Sequence, residues 1–333
     1  MKSLRKIIFL LALFTTARLM AHEMQPAYLE LRQTGADTWQ VLWKTPARAD
    51  LQGGMKPVLP KEARVTSEPV RMKIGDAATE QFTIDCAGGL DGKEISVDGT
   101  AAAIADVLVR VVRMDGASQV FRLTPDARSH VIESVPGRWL EVKTYLGMGV
   151  GHILMGVDHL LFVLGLLLIV RDRWMLLKTI TAFTVAHSIT LGIATMGWAN
   201  APTLPLNAAI ALSILFLGPE IVRAQRGETS LTIRHPWVVA GAFGLLHGFG
   251  FASGLTALGL PRAEIPMALL LFNCGVEIGQ LFFVALILSL EISFRTLEIR
   301  WTSWAEKLPA YTVGGLGAYW AIQRTAILLA GLK

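Results

Sequence analysis

The chain has 333 residues, 53% of them hydrophobic and only 17% charged, against about a quarter charged in soluble domains. That balance excludes an ordinary soluble enzyme and predicts a membrane protein. The net charge of +5 is spread over short segments between apolar runs, not gathered into a patch, so no nucleic-acid partner is implied. Two cysteines, Cys86 and Cys274, are too few for a disulfide framework or a Cys-rich zinc site and read as small packed apolar residues.

Residues 1–21 read as a secretory signal: a basic start (Lys2, Arg5, Lys6), an apolar run from Ile7 to Phe14 and Ala21 as the cleavage point. An uncleaved anchor is the alternative, because Arg18 and Leu19 interrupt the pattern. Cleavage after Ala21 leaves His22 at the new terminus, where amine and imidazole together suit a divalent metal. The plainer reading is an accident of processing.

From 22 to 136 short alternating runs follow, separated by Gly, Pro and Asp: Tyr28 to Arg32, Trp39 to Lys44, Gln81 to Asp85, Lys93 to Val97, Asp106 to Arg113 and Gln119 to Leu123. This spacing predicts an extracytoplasmic antiparallel β-sandwich. Val107, Val109 and Val111 share its inner face and Arg110 an outer, partly wetted one. A hairpin turn is expected over Met114 to Ala117. No catalytic constellation or buried titratable cluster is visible here, and His130 reads as a surface residue. The expected role is that of a cap or a metal-collecting lobe, dispensable for ion passage.

Residues 137–144 read as a linker, and 145–333 as a polytopic α-helical bundle of six transmembrane helices: about Tyr145 to Val170, Met175 to Trp198, Leu204 to Val222, Trp237 to Leu260, Ile265 to Ile292 and Ala310 to Leu332. Each approaches the roughly 20 residues a spanning helix needs. With the β domain outside, the inner connections carry Arg171, Arg173, Lys178, Arg223, Arg226, Arg234, Arg295, Arg300 and Lys307, and the outer ones only Arg262. That asymmetry obeys the positive-inside rule and predicts an inner (plasma) membrane protein with a periplasmic or extracellular N-terminal domain.

Ionisable groups inside a bilayer are costly, so they mark function. In a continuous first helix, His152 and His159 fall about 20° short of two full turns apart, with Met155 on the same stripe. Asp158 then faces an adjacent groove or orients a ligating ring. The second helix offers His187 between Thr184 and Thr190, and the fourth His247 beside the small-residue pair Gly244 and Gly248. Asn273, Glu277 and Gln280 form a polar stripe on the fifth, where a buried Glu277 needs a cation, a histidine or a role in moving protons. Glu220, at the inner end of the third, is a solvated helix end or part of an exit path. Arg324 is expected to snorkel outward without chemistry. The main metal ligands predicted are therefore His152, Asp158, His159, His187, His247 and Glu277. Asn273, Gln280, Glu220, Met155 and His22 are secondary. Such nitrogen and oxygen donors suit Ni, Co, Zn or Fe(II), and Met155 keeps Cu in consideration.

The run from His152 to Asp158 and His159, with His187, His247 and the Asn273 to Glu277 stretch, resembles the HupE/UreJ family of membrane proteins. Its His-x5-Asp-His signature implies nickel or cobalt uptake for hydrogenase and urease. The His22, Glu23, Met24 opening and the Pro26 to Leu31 strand resemble the branch that adds an extracytoplasmic β domain.

Three functions follow as expectations. The first is a secondary permease for a divalent transition metal, nickel or cobalt first, with the ion as substrate and no nucleotide, since no phosphate-binding loop is present. The second is an intramembrane zinc-dependent hydrolase with Asp158 or Glu277 as general base. The third is a non-transporting accessory factor in metalloenzyme assembly. The partners expected are the lipid bilayer, the metal ion and a metalloenzyme maturation system.

Overall fold

The computed structural model describes residues 26–46, 55–74, 77–99, 106–134, 137–257, 264–296 and 308–330. The signal read over 1–21 and the metal option at His22 lie outside them. Six expected strands are present: β1 (Ala27–Gln33), β2 (Thr38–Pro46), β6 (Ala77–Cys86), β7 (Glu94–Gly99), β8 (Val107–Val112) and β9 (Ser118–Leu123). Four short ones were not foreseen: β3 (Met55–Val58), β4 (Ala63–Val65), β5 (Val70–Ile74) and β10 (Ser129–Val131). The hairpin turn between β8 and β9 forms as expected, with Gly116 at φ 84° and the Arg113 N–H donating to Ala117 O.

The larger sheet runs β4-β6-β2-β1-β8-β9, with β5 also on β6, and the smaller runs β10-β7-β3. They enclose one core in which Leu29, Val41, Val109 and Phe121 meet Met55, Ile95 and Val97. The sandwich is not wholly antiparallel, because β1 pairs with β8 in parallel.

The helices are α1 (Arg138–Met155), α2 (Val157–Ile169), α3 (Arg173–Thr195), α4 (Thr203–Gln225), α5 (Leu231–Arg234), α6 (Pro236–Ala257), α7 (Ile265–Thr296) and α8 (Leu308–Ala330). The segment read as a linker over 137–144 is thus mostly the start of α1. By length and composition α3, α4 and α7 can each cross a membrane, and α1 with α2 adds a fourth if counted as one broken span. In α6 the shorter apolar stretch Pro236–Phe251 stands out.

The first span is not continuous. It bends by 74° between α1 and α2 at Gly156, whose φ of −78° and ψ of 90° leave helical geometry. The single stripe through His152, Met155 and His159 therefore does not exist. The bend needs a residue without a side chain: a Cβ on Gly156 would lie 2.7 Å from His159 Nδ1 and 2.8 Å from the His152 carbonyl oxygen.

Glycines set the closest helix pairs. Gly149 and Gly275 bring α1 and α7 into backbone contact, Gly244 and Gly248 do the same for α3 and α6, and Gly218 meets Gly314 between α4 and α8. The pair expected at Gly244 and Gly248 therefore packs as read.

The outer face of β8 is not wetted. Leu108, Tyr28 and Val120 pack on Tyr145, Met148, Leu191, Phe251, Ile265 and Phe272, so the larger sheet lies between the smaller sheet and the helices. Within that interface Arg110, 3% exposed, lies 2.8 Å from Glu264 and 3.4 Å from Glu30. Tyr28 Oη donates to Glu30 at 2.7 Å, and Arg122 Nη1 donates to Gly147 O at 3.2 Å. The β domain thus does hold a buried titratable cluster, contrary to the sequence reading. Burial raises the Tyr28 phenol. It also pushes Glu30 up, but hydrogen bonds from Tyr28 and Arg32 and the Arg32 and Arg110 charges outweigh it and hold the carboxyl below its ordinary value. His130 is half-buried, its ring 4.2 Å from Phe121. Cys86 is buried as expected, whereas Cys274 lies on the exposed face of α7.

Candidate metal centre

Breaking the first span turns two stretches of chain toward one point. His152 comes from the last turn of α1 and His159 from the first turn of α2, and their rings lie 4.7 Å apart, edge to face. His187, from the middle of α3, lies 6.1 Å from His152 and 6.4 Å from His159 by ring centroids. One nitrogen from each of the three rings falls within 4.8 Å of the others. A tetrahedral ion with bonds of about 2.1 Å holds nitrogens about 3.4 Å apart, so the rings need to close by only about an ångström around it.

The neighbours fix which nitrogen is offered. Asn273 Nδ2 donates to Leu269 O at 2.8 Å, so its Oδ1 faces His187 Nδ1 at 3.2 Å as an acceptor. His187 Nδ1 therefore carries the proton and Nε2 keeps its lone pair, with no hydrogen-bond partner among the described residues. Asp158 Oδ1 accepts the His159 backbone N–H at 3.0 Å and lies 3.2 Å from His159 Nδ1, so the carboxylate sits against that edge of the ring. Ser213 spends its hydroxyl proton on Ile210 O at 2.7 Å, so it accepts from His247 Nε2 at 3.0 Å and leaves the buried Nδ1 as acceptor.

His247 is a near neighbour and not one of the converging three. Its ring centroid is 5.1 Å from that of His159. Asp158 acts on His159, not toward the gap between the nitrogens, and its second oxygen lies 3.7 Å from Arg324 Nη2. Arg324 therefore does not snorkel outward.

Glu277 stands apart. Its carboxylate accepts from Thr181 Oγ1 at 2.6 Å, and Thr181 precedes His187 by six residues, about 9 Å along the helix. Gln280 accepts from Thr184 at 2.9 Å, so the stripe on α7 faces α3, but only Asn273 reaches a ring of the cluster. Among the described residues the hydrogen-bond partner of Glu277 is a hydroxyl, not a histidine or a cation. Met155 is 58% exposed, which removes the soft donor that favoured copper. Glu220 is buried, not solvated, and pairs with Arg223 at 2.6 Å and with Ser230.

Several functional neighbours escaped the sequence reading. Phe251 and Phe272 stack 4.9 Å apart at an interplanar angle of 6° and both touch the His152 ring, with centroids at 4.3 and 5.5 Å. Both belong to the cluster that also holds Tyr28, Leu108 and Val120, so this pair separates the imidazoles from the β domain. Phenylalanines in apolar helices give no signal of that role. Ser213 gives none either, whereas Arg324 was signalled by its charge.

A family model described as HupE / UreJ protein matches residues 127–324. The chain belongs to the HupE/UreJ family. No curated protein matches it. The family is associated with nickel or cobalt transport or with metalloenzyme maturation, and is generally one of transporters or accessory factors. The match spans every helix except the last residues of α8, and takes in all the converging histidines.

Proposed function

We propose that this HupE/UreJ protein is a secondary permease for a divalent transition metal, nickel or cobalt first, with His152, His159 and His187 as the central ligands. The observation that carries this reading is the meeting of three imidazole nitrogens at a break in an apolar helix pair. Discontinuous helices are a recurrent way of building ion sites at the bilayer midplane. Trp174, at the start of α3, and Trp198, just past its end, are 79% and 74% exposed, and the helix between them rises about 34 Å, enough to cross a hydrocarbon core of about 30 Å. His187 lies about 20 Å from Trp174 on the same measure, close to mid-depth.

The full topology belongs to the same proposal: six spans, counting α1 with α2 as one and including α6 and α8. The β domain then faces the periplasm or cell exterior, and the arginine-rich connections face inward. His247 and Glu277 serve the path on either side of the three-imidazole station, and weak binding at successive stations lets the ion leave as well as arrive. An intramembrane hydrolase needs a base free to activate water. Here Asp158 is engaged by His159 and Arg324, and Glu277 by Thr181, which favours transport. Uptake of Ni²⁺ or Co²⁺ into proteoliposomes tests the reading. Saturable, gradient-dependent uptake that His187→Ala abolishes is the expected result, and lumenal metal no higher than in empty vesicles overturns it.

A further inference from the structure

Asp158 divides its two oxygens between opposite tasks. Oδ1 holds the His159 ring, while Oδ2 faces the guanidinium of Arg324 at 3.7 Å. Arg324 reaches that place from α8 with a side chain only 12% exposed. It is steadied by donating through Nη1 to Asn207 O at 3.0 Å, and lies 5.8 Å from the Trp320 ring.

The separation from Asp158 is informative. Charge-assisted hydrogen bonds close to about 2.7–2.9 Å and arginine often makes two at once. At 3.7 Å the guanidinium opposes the charge of the carboxylate. The imidazoles stand beside a carboxylate whose charge the guanidinium opposes, which leaves the site with little net negative charge. A divalent ion entering it gains ligand bonds but meets a fixed positive charge on the far side of Asp158, where the low dielectric leaves that repulsion poorly screened.

We propose that Arg324 is a tethered counter-cation: it neutralises Asp158 in the empty site and weakens the hold on a divalent metal ion so that the ion can be released. This rests on the permease reading above. Arg324 acts through Asp158 and does not touch the ion, so it is a positioning residue. Its signature is a split between affinity and turnover. Removing the charge tightens binding by roughly 5- to 150-fold, the usual range for one coupled binding free energy, and slows vesicle uptake at saturating ion. A purely structural role moves both in the losing direction.

The experiment is equilibrium dialysis of the purified full-length protein with Ni²⁺ and with Co²⁺, paired with uptake rates in proteoliposomes. Arg324→Gln is expected to bind more tightly than wild type and to transport more slowly. If Arg324→Gln does not fold, Asp158→Asn and the double variant Asp158→Asn, Arg324→Gln isolate the same charge, and the double variant is expected to bind the ion more tightly than Asp158→Asn alone. Wild type that binds, with Arg324→Gln equal or weaker, or with the double variant no tighter than Asp158→Asn, overturns this inference alone. Absence of binding by wild type and all variants overturns the permease reading and this inference together.

Discussion

Two buried polar clusters, an upper one at the β-domain junction and a lower one at the histidines, both border the apolar layer that holds the stacked Phe251 and Phe272, and they are built on opposite plans. In the upper cluster, at the junction of β domain and helices, each buried charge has an opposite charge: Arg110 with Glu30 and Glu264, and Glu30 again with Arg32. In the lower cluster the side chains are mostly imidazole rings, and nitrogens on His152, His187 and His247 have no hydrogen-bond partner among the described residues. Burying an unsatisfied polar atom costs about 1–3 kcal/mol, and Arg110 Nε and Glu264 Oε2 of the upper cluster bear that cost too, so the contrast lies in the chemistry: opposed charges above, converging ring nitrogens below. The upper cluster is a clamp of paired charges. The lower, on the function proposed above, offers its ring nitrogens to an ion.

The comparison can be broken at the lower cluster first. Gly156→Val places a side chain against the His152 carbonyl and the His159 ring, so the bend cannot keep both imidazoles in place. Ion retention should vanish while the β domain keeps its fold. Metal content and far-ultraviolet circular dichroism of the purified variant check this, and a variant that retains metal at the wild-type level would show that the bend does not set the site.

At the upper cluster the expected effect falls on stability. Arg110→Met takes the arginine from Glu264 and leaves Glu30 with Arg32 and Tyr28 alone, and breaking a buried pair by removing one partner costs up to about 3–5 kcal/mol. Lower thermal stability and faster proteolysis between β9 and α1 should follow, with the affinity for Ni²⁺ unchanged. A loss of affinity without a loss of stability would place the clamp inside the ion path.

Acidity separates the two clusters more finely. The folded Glu30 carboxyl titrates below its ordinary value. Its contribution is therefore present above the unfolded value of about 4.3 and lost only as pH falls through the lower, folded one. Docking of the β domain should hold from about pH 7.5 down to 5, as proteolysis can follow. Uptake should decline on acidification, because protons compete with the ion for neutral imidazoles. Release of the β domain before uptake declines would reverse the assignment.

Much of the fold was legible in sequence where one periodicity ruled. Alternation exposed the six longer strands, and apolar length exposed α3, α4 and α7. The short strands β3, β4, β5 and β10 escaped because three to five residues cannot establish a period. The buried outer face of β8 escaped because Arg110 reads as wetted until Glu264, far along the chain, supplies its partner. At the site, the histidines were legible as costly intramembrane groups. Their meeting was derived from a continuous helix, yet it depends on the bend at Gly156. The hydroxyl of Thr181 that meets Glu277 was not legible, because Thr181 lies 96 residues away in sequence. Arg324 was undervalued because a position near the helix end allowed an escape to the interface that its contact with Asp158 replaces.

The central claim is that three imidazoles at the break in the first span hold a divalent transition metal. Element analysis of the purified full-length protein, after exposure to Ni²⁺ and Co²⁺ and removal of free ion, addresses it directly when run beside His159→Ala. The expected result is bound metal near one ion per chain in wild type and a loss of at least about tenfold in the variant, because one ligand of three is removed. Equal metal content in the two proteins, or none in wild type, would contradict the account.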